Sequence, residues 1–200
     1  MDSLRLQPIP AELHWENLPL DWKVDQENML SITAGKKTDL FSSPRGGAVK
    51  NTSPRALFTP QGNFLLSAKV DVDFQGTFDA GVLIIYAGEE TWAKLCFEIS
   101  PQKQPMVVSV VTRGWSDDCN SVPIDGNQVY LRIARLGRAF AFHFSTDGKF
   151  WHMVRHFTLG DLDKPAIGFS SQAPTGDRCT AVFSEIRYET GTLEDIRSGE

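Results

Sequence analysis

Residues 79–117 read DAGVLIIYAGEETWAKLCFEISPQKQPMVVSVVTRGWSD, and their period decides the fold. Ala80–Tyr86 is a continuous apolar run, too short for most helices and bounded by Gly81 and Gly88, which predicts a central strand. From Trp92 on, the side chains separate by parity: Ala93, Leu95, Phe97 and Ile99 to one face, Trp92, Lys94, Cys96 and Glu98 to the other. The first set makes core. The second places a lysine and a glutamate on a strand flanked by hydrophobic strands, and suggests a sheet whose other surface is used for something. On this parity Leu95→Ala and Phe97→Ala open cavities, whereas Lys94→Ala costs much less.

The period of two extends outward from there. Phe64, Leu66, Ala68, Val70, Val72 and Phe74 alternate with Leu65, Ser67, Lys69, Asp71 and Asp73, the pattern of a half-buried antiparallel strand. Further strands are predicted at Met106–Arg113, Gln128–Leu136, Arg138–Ser145, Phe150–Phe157, Pro165–Ser171 and Arg178–Tyr188. Gly137 separates two alternating runs, and Asp147-Gly148 supplies the positive φ of a tight hairpin turn, so consecutive strands should be antiparallel. Nearer the N-terminus, Trp15, Trp22, Met29, Leu30 and Ile32 mark short strands, and the Gly/Pro/Ser-rich segment from Ser42 to Pro60 reads as a long surface excursion. Trp115 falls in a loop from Arg113 to Asp117. Asp117, Asp118 and Cys119 read as a turn with capping aspartates, since they lack the convergent oxygens of a calcium site and the Cys/His spacing of a zinc site. The expectation is one domain over residues 1–200, with a sandwich core at about 13–188 and a short charged tail at 190–200, either a last helical turn or disordered.

Two hundred residues, 41% hydrophobic and 22% charged, are enough to bury a full core. A net charge of −5 with scattered basic residues argues against nucleic acid as a partner. No apolar run reaches the length of a signal peptide or a membrane span, so the expectation is a cytoplasmic protein without a membrane partner. Three cysteines without a CxxC pair fit reduced thiols. Neither a metal nor another cofactor is indicated.

At this point the residues carry a resemblance. TDLF at 38–41, AGVLI at 80–84, WAKLCFE at 92–98, VVTRGWSD at 110–117, YLRIAR at 130–135, STDGKFW at 145–151 and IGFSSQAP at 167–174 occur in order over roughly Trp15–Tyr188. Together they resemble the regulation-of-enolase-type family of concanavalin A-like sandwich proteins, a domain of unknown function. The resemblance implies an all-β jelly-roll sandwich of two antiparallel sheets, with the concave sheet as the place for a ligand. It also implies a metabolic enzyme as a regulatory partner, and leaves the activity open.

The candidate site is the polar face of the central strands. Lys94 and Glu98 share that face but lie about 13 Å apart along the strand, too far to pair directly. Thr112, Arg132 and His143 are expected to project onto the same sheet from neighbouring strands, with Arg155 and Gln172 at its edge and Trp92 or Trp115 as an apolar platform. Cations around Glu98 would favour its ionised form. Such a surface suits a carbohydrate or a small polar acid; the alternative is cross-strand ion pairing on a solvated face. Two function classes follow: a non-catalytic binding or regulatory protein, and a small carbohydrate-active enzyme using Glu98 as acid or base. Edge strands of a sandwich also offer a homodimer contact.

Overall fold

The computed structural model describes residues 4–162 and 164–200. Its strands are β1 (His14–Glu16), β2 (Asp21–Val24), β3 (Leu30–Gly35), β4 (Leu40–Phe41), β5 (Lys50–Asn51), β6 (Arg55–Phe58), β7 (Phe64–Asp73) and β8 (Ala80–Tyr86). They continue as β9 (Thr91–Ile99), β10 (Pro105–Arg113), β11 (Trp115–Pro123), β12 (Gln128–Leu136), β13 (Ala139–Ser145), β14 (His152–Thr158), β15 (Ala166–Gln172) and β16 (Arg178–Thr190). Two seven-stranded antiparallel sheets face each other in a concanavalin A-like jelly-roll sandwich: β1-β6-β15-β8-β9-β10-β11 and β14-β13-β12-β7-β16-β3-β2. No helix occurs among the described residues.

The inner faces follow from the parity of the strands. Leu66, Ala68, Val70 and Val72 of β7 pack in one buried cluster with Leu83 and Ile85 of β8 and Leu95 and Phe97 of β9. Where β15 meets β6 the two backbones approach closely. A Cβ on Gly168 would collide with the carbonyl oxygen of Ala56, so only glycine lets these two backbones pair.

Three segments differ from the sequence reading. Residues 115–123, read as a loop and turn, form β11, the edge strand paired with β10 from Arg113↔Trp115 to Met106↔Pro123. Most of its side chains are exposed, so no hydrophobic alternation marks it. Within the supposed excursion from Ser42 to Pro60, Arg55–Phe58 is an internal strand between β1 and β15, and all four residues are buried. In the tail at 191–200 the structure has turns in place of a regular helix. They are closed by Gly199 N–H to Asp195 O (2.9 Å), and the tail docks on the second sheet.

Candidate functional site

The outer face of the first sheet is buried more deeply than alternation alone requires. Leu40, Leu57, Val82, Ile84, Trp92, Cys96, Val108 and Val110 form a second apolar cluster there, covered by the segment that carries β4 and β5. That segment is anchored by Ser42, whose N–H donates to Ser116 Oγ (2.9 Å) and whose hydroxyl donates to Gly114 O (2.7 Å). Lys94 is therefore 3% exposed and far from solvated.

Beside this cover lies a pocket of about 450 Å³ with a polar floor. Lys94 Nζ runs along the sheet, donates to Gln172 Oε1 at 2.9 Å and pairs with Asp39 Oδ1 at 3.6 Å. Gln172 Nε2 donates to Phe78 O (3.0 Å) and to Glu98 Oε2 (3.4 Å). The lysine and the glutamate, too far apart to touch, are thus joined through Gln172, which β15 delivers to the Glu98 row by way of Ala80. Lys50 of β5 reaches the other oxygen of Asp39 at 3.3 Å, and Asp118 and Asn120 of β11 line the pocket from the sheet edge, Asp118 in the Lys94 row by way of Val110. Phe41, Phe78, Val110, Pro101 and Pro174 supply the apolar surface. Phe78 has φ of 69°, unusual for a bulky side chain, and is held there by its N–H to Ile99 O (2.8 Å) and its carbonyl to Gln172. The strained backbone leaves the ring 39% exposed at the pocket.

The electrostatics reverse one expectation. Glu98 does not have its ionised form favoured: burial pushes its carboxyl up to about 8, and Lys94 only partly offsets this, while Asp118 and Asp39 add to the rise. Asp118 is likewise raised by burial, against the pull of Lys94 and Arg155. Burial alone would lower Lys94, yet its pKa is raised, with Asp39, Glu98 and Asp118 among its acidic neighbours. The Cys96 thiol beneath is pushed far up by burial and stays neutral. Because Glu98 binds its proton more tightly folded than at its ordinary 4.5, its stabilising contribution is complete below that pH and is lost as pH rises through about 8. Denaturation curves should therefore show the wild type losing stability relative to Glu98→Gln between pH 5 and about 8. A constant difference across that range would contradict the assignment.

Of the residues expected at the site, Lys94, Glu98 and Gln172 come together. Thr112 is buried on the same face but bonds Ser116 Oγ (3.0 Å) and does not line the pocket. Trp92 is fully buried with its indole N–H on Glu89 O (3.3 Å), so it supports the floor from below and offers no platform. Trp115, 57% exposed on the edge strand, also lies off the pocket; Phe78 and Phe41 are the aromatic rings that line it. Arg132 and His143 do not reach this sheet at all. They sit opposite each other on β12 and β13 of the second sheet and face the docked tail: Arg132 Nη2 donates to Gly199 O (2.7 Å), and His143 Nε2 is 2.7 Å from Ile196 O. Burial lowers His143 to about 4, so at neutral pH it is an uncharged donor to that carbonyl. Arg155 lies on β14 and ties the sheet edges together through Asp117 O (3.2 Å) and Oδ1 (3.4 Å). Among the described residues no three His, Cys, Asp or Glu side chains are placed to hold a metal.

A family model described as "Protein of unknown function (DUF1349)" matches residues 15–191. The chain belongs to this family. Its description gives no activity, and the enolase-regulating role implied by the sequence resemblance is not part of it. No curated protein matches the chain. Among solved structures, a functionally unknown protein from Saccharomyces cerevisiae superposes with a TM-score of 0.82 at 22% identity, over 90% of this chain and 96% of that one. A xylan β-1,4-xylosidase from Bacillus halodurans gives 0.67 at 17% identity, over 94% of this chain but 39% of that enzyme. An alginate lyase from Klebsiella pneumoniae gives 0.56 at 12% identity, over 88% and 85%. At such identities the likeness is one of fold.

Proposed function

We propose that this protein is a binding protein that takes a carbohydrate or a similar hydroxyl-rich small ligand in the pocket above Lys94, Glu98 and Gln172. The observation that carries the reading is Lys94, a charge 3% exposed that forms the floor of an open pocket. A buried ammonium costs free energy unless its donors are used. One of its three N–H groups goes to Gln172 Oε1, and Asp39 balances its charge from 3.6 Å, which leaves donor capacity for an occupant. Asp118 and Asn120 line the same pocket from the edge strand, where the Asp118 carboxylate takes the Cys119 N–H and keeps acceptor capacity toward the pocket. Carboxylate, amide and ammonium groups around an aromatic ring match alternating hydroxyls and C–H faces of a sugar. The xylosidase and the lyase, named for acting on polysaccharides, lend the fold a precedent for such ligands.

One observation favours a second reading, a carbohydrate-active enzyme: a carboxyl raised to about 8 can deliver a proton at neutral pH. Glu98→Gln separates the two. Glutamine keeps a donor where the protonated acid stands, so a binder retains its affinity at pH 6, whereas an acid catalyst loses turnover.

A thermal-shift panel of neutral sugars, sugar acids and sugar phosphates finds the ligand, since one at 100 times its Kd adds about 2.7 kcal/mol of stability. Calorimetry on the hit then reads the variants. Asp118→Ala is expected to weaken binding by about 1.5–3 kcal/mol and Phe78→Ala by about 0.5–1.5 kcal/mol. Unchanged affinity in both would remove this pocket from the account.

A further inference from the structure

We propose that the row Arg187–Ser67–Arg132 on the outer face of the second sheet is a separate oxyanion site, for a carboxylate or phosphate group, covered in this structure by residues 192–200. Ser67 of β7 pairs with Arg132 of β12 on one side and with Arg187 of β16 on the other, so the three side chains leave the sheet on one face in one row. Arg132 is 8% exposed, and among the described residues neither guanidinium forms an ion pair. Buried arginines are ordinarily paired, because an uncompensated buried charge is costly. Arg132 has instead one carbonyl, Gly199 O, and the Trp151 ring 4.2 Å from its Cζ, and its Nε is buried without a partner. Both arginines border a cavity of about 300 Å³ together with Ser67 and Trp151. Two guanidiniums flanking a hydroxyl, beside an indole that orients one of them, form a fork for an oxyanion.

The cover explains how the site exists without one. Residues 192–200 carry Glu194, Asp195 and Glu200 against the single base Arg197, and Glu200 and Glu189 border the same cavity. The Gly199 carbonyl takes the anion's place at Arg132, with the Glu189 and Glu200 side chains at the cavity but, among the described residues, unpaired to either arginine, and an incoming oxyanion competes with that carbonyl. The fit is close at Gly199, which has φ of 75° and where a Cβ would collide with the Arg132 guanidinium and crowd Trp151. Gly199→Ala should therefore lift the strap and leave the floor intact.

The test uses inorganic phosphate and sodium acetate as probes, each at an ionic strength matched with sodium chloride, read by thermal shift and calorimetry on the full chain. Arg132→Ala can fail to fold, so the exposed Arg187 carries the test. Phosphate, acetate or both are expected to stabilise the wild type beyond chloride, with the stronger probe naming the group. Arg187→Ala should weaken that binding at least tenfold, while Glu189→Gln and Gly199→Ala each tighten it at least threefold. A residue with only a structural role would not give these opposite signs. The proposal is overturned if neither probe exceeds chloride in the wild type and in Gly199→Ala, or if Arg187→Ala binds as the wild type does.

Discussion

Asp39→Ala is expected to destabilise the protein by about 3–5 kcal/mol, far more than a polar substitution beside a surface pocket ordinarily does. Asp39 is 7% exposed and Lys94 3%, so their 3.6 Å pair lies out of water. Removing the carboxylate strands the ammonium with Gln172 as its remaining partner. It also removes the Oδ1 that accepts the Leu40 N–H at 2.8 Å and the anchor for Lys50, so the covering segment loosens as well. Replacing both partners, as Asp39→Ala with Lys94→Met, should recover part of the loss, because no charge is then left buried. Urea denaturation measures this directly. A cost below about 1 kcal/mol for Asp39→Ala would mean that Lys94 is solvated and the pocket floor is wrongly drawn. The expectation from parity that Lys94 can be truncated cheaply fails for the same reason: this face is outward from the sandwich yet covered.

Phe97→Ala is the second large effect, at about 3–5 kcal/mol. The ring is fully buried between the sheets and meets Phe74 edge-on, with centroids 5.1 Å apart and planes at 74°. Truncation loses the transfer free energy of the ring and leaves a cavity that two rigid sheets cannot close. Trp115→Ala, on the exposed edge strand, is the control and should stay within about 0.5 kcal/mol. Equal costs for the two would mean that the strand parity is misread.

The sandwich was legible because most of its strands bury one face, and burial writes itself into the sequence as alternation. Where burial is absent the signal goes with it: WSDDCNSVP forms β11 through backbone pairing to β10, with side chains that say nothing about a strand. Arg55–Phe58 failed in the opposite way, because four buried residues among Gly, Pro and Ser are too few to show a period. Of the site, parity alone gave Lys94 and Glu98, and their 13 Å separation correctly ruled out a direct pair. The rest depended on which strands neighbour which. Arg132 and His143 alternate in their strands just as Lys94 does, and nothing local to them distinguishes one sheet of a jelly roll from the other. Asp39 lies in TDLF and Asp118 in the Asp117–Cys119 run, so both residues are visible in the sequence while their meeting place is not. Phe78 had no signal at all, since its left-handed backbone is imposed by Gln172 and Ile99 from elsewhere in the chain.

The pocket over Lys94 is tested most directly by nuclear magnetic resonance titration of the assigned protein with the best sugar from the thermal-shift panel, following amide and side-chain shifts. The account predicts saturable perturbations centred on Phe78, Lys94, Glu98, Asp118 and Gln172, with the lysine ammonium and the Gln172 amide among the most affected groups. Perturbations centred instead on Arg132, His143 and Trp151, or scattered without saturation, would contradict it.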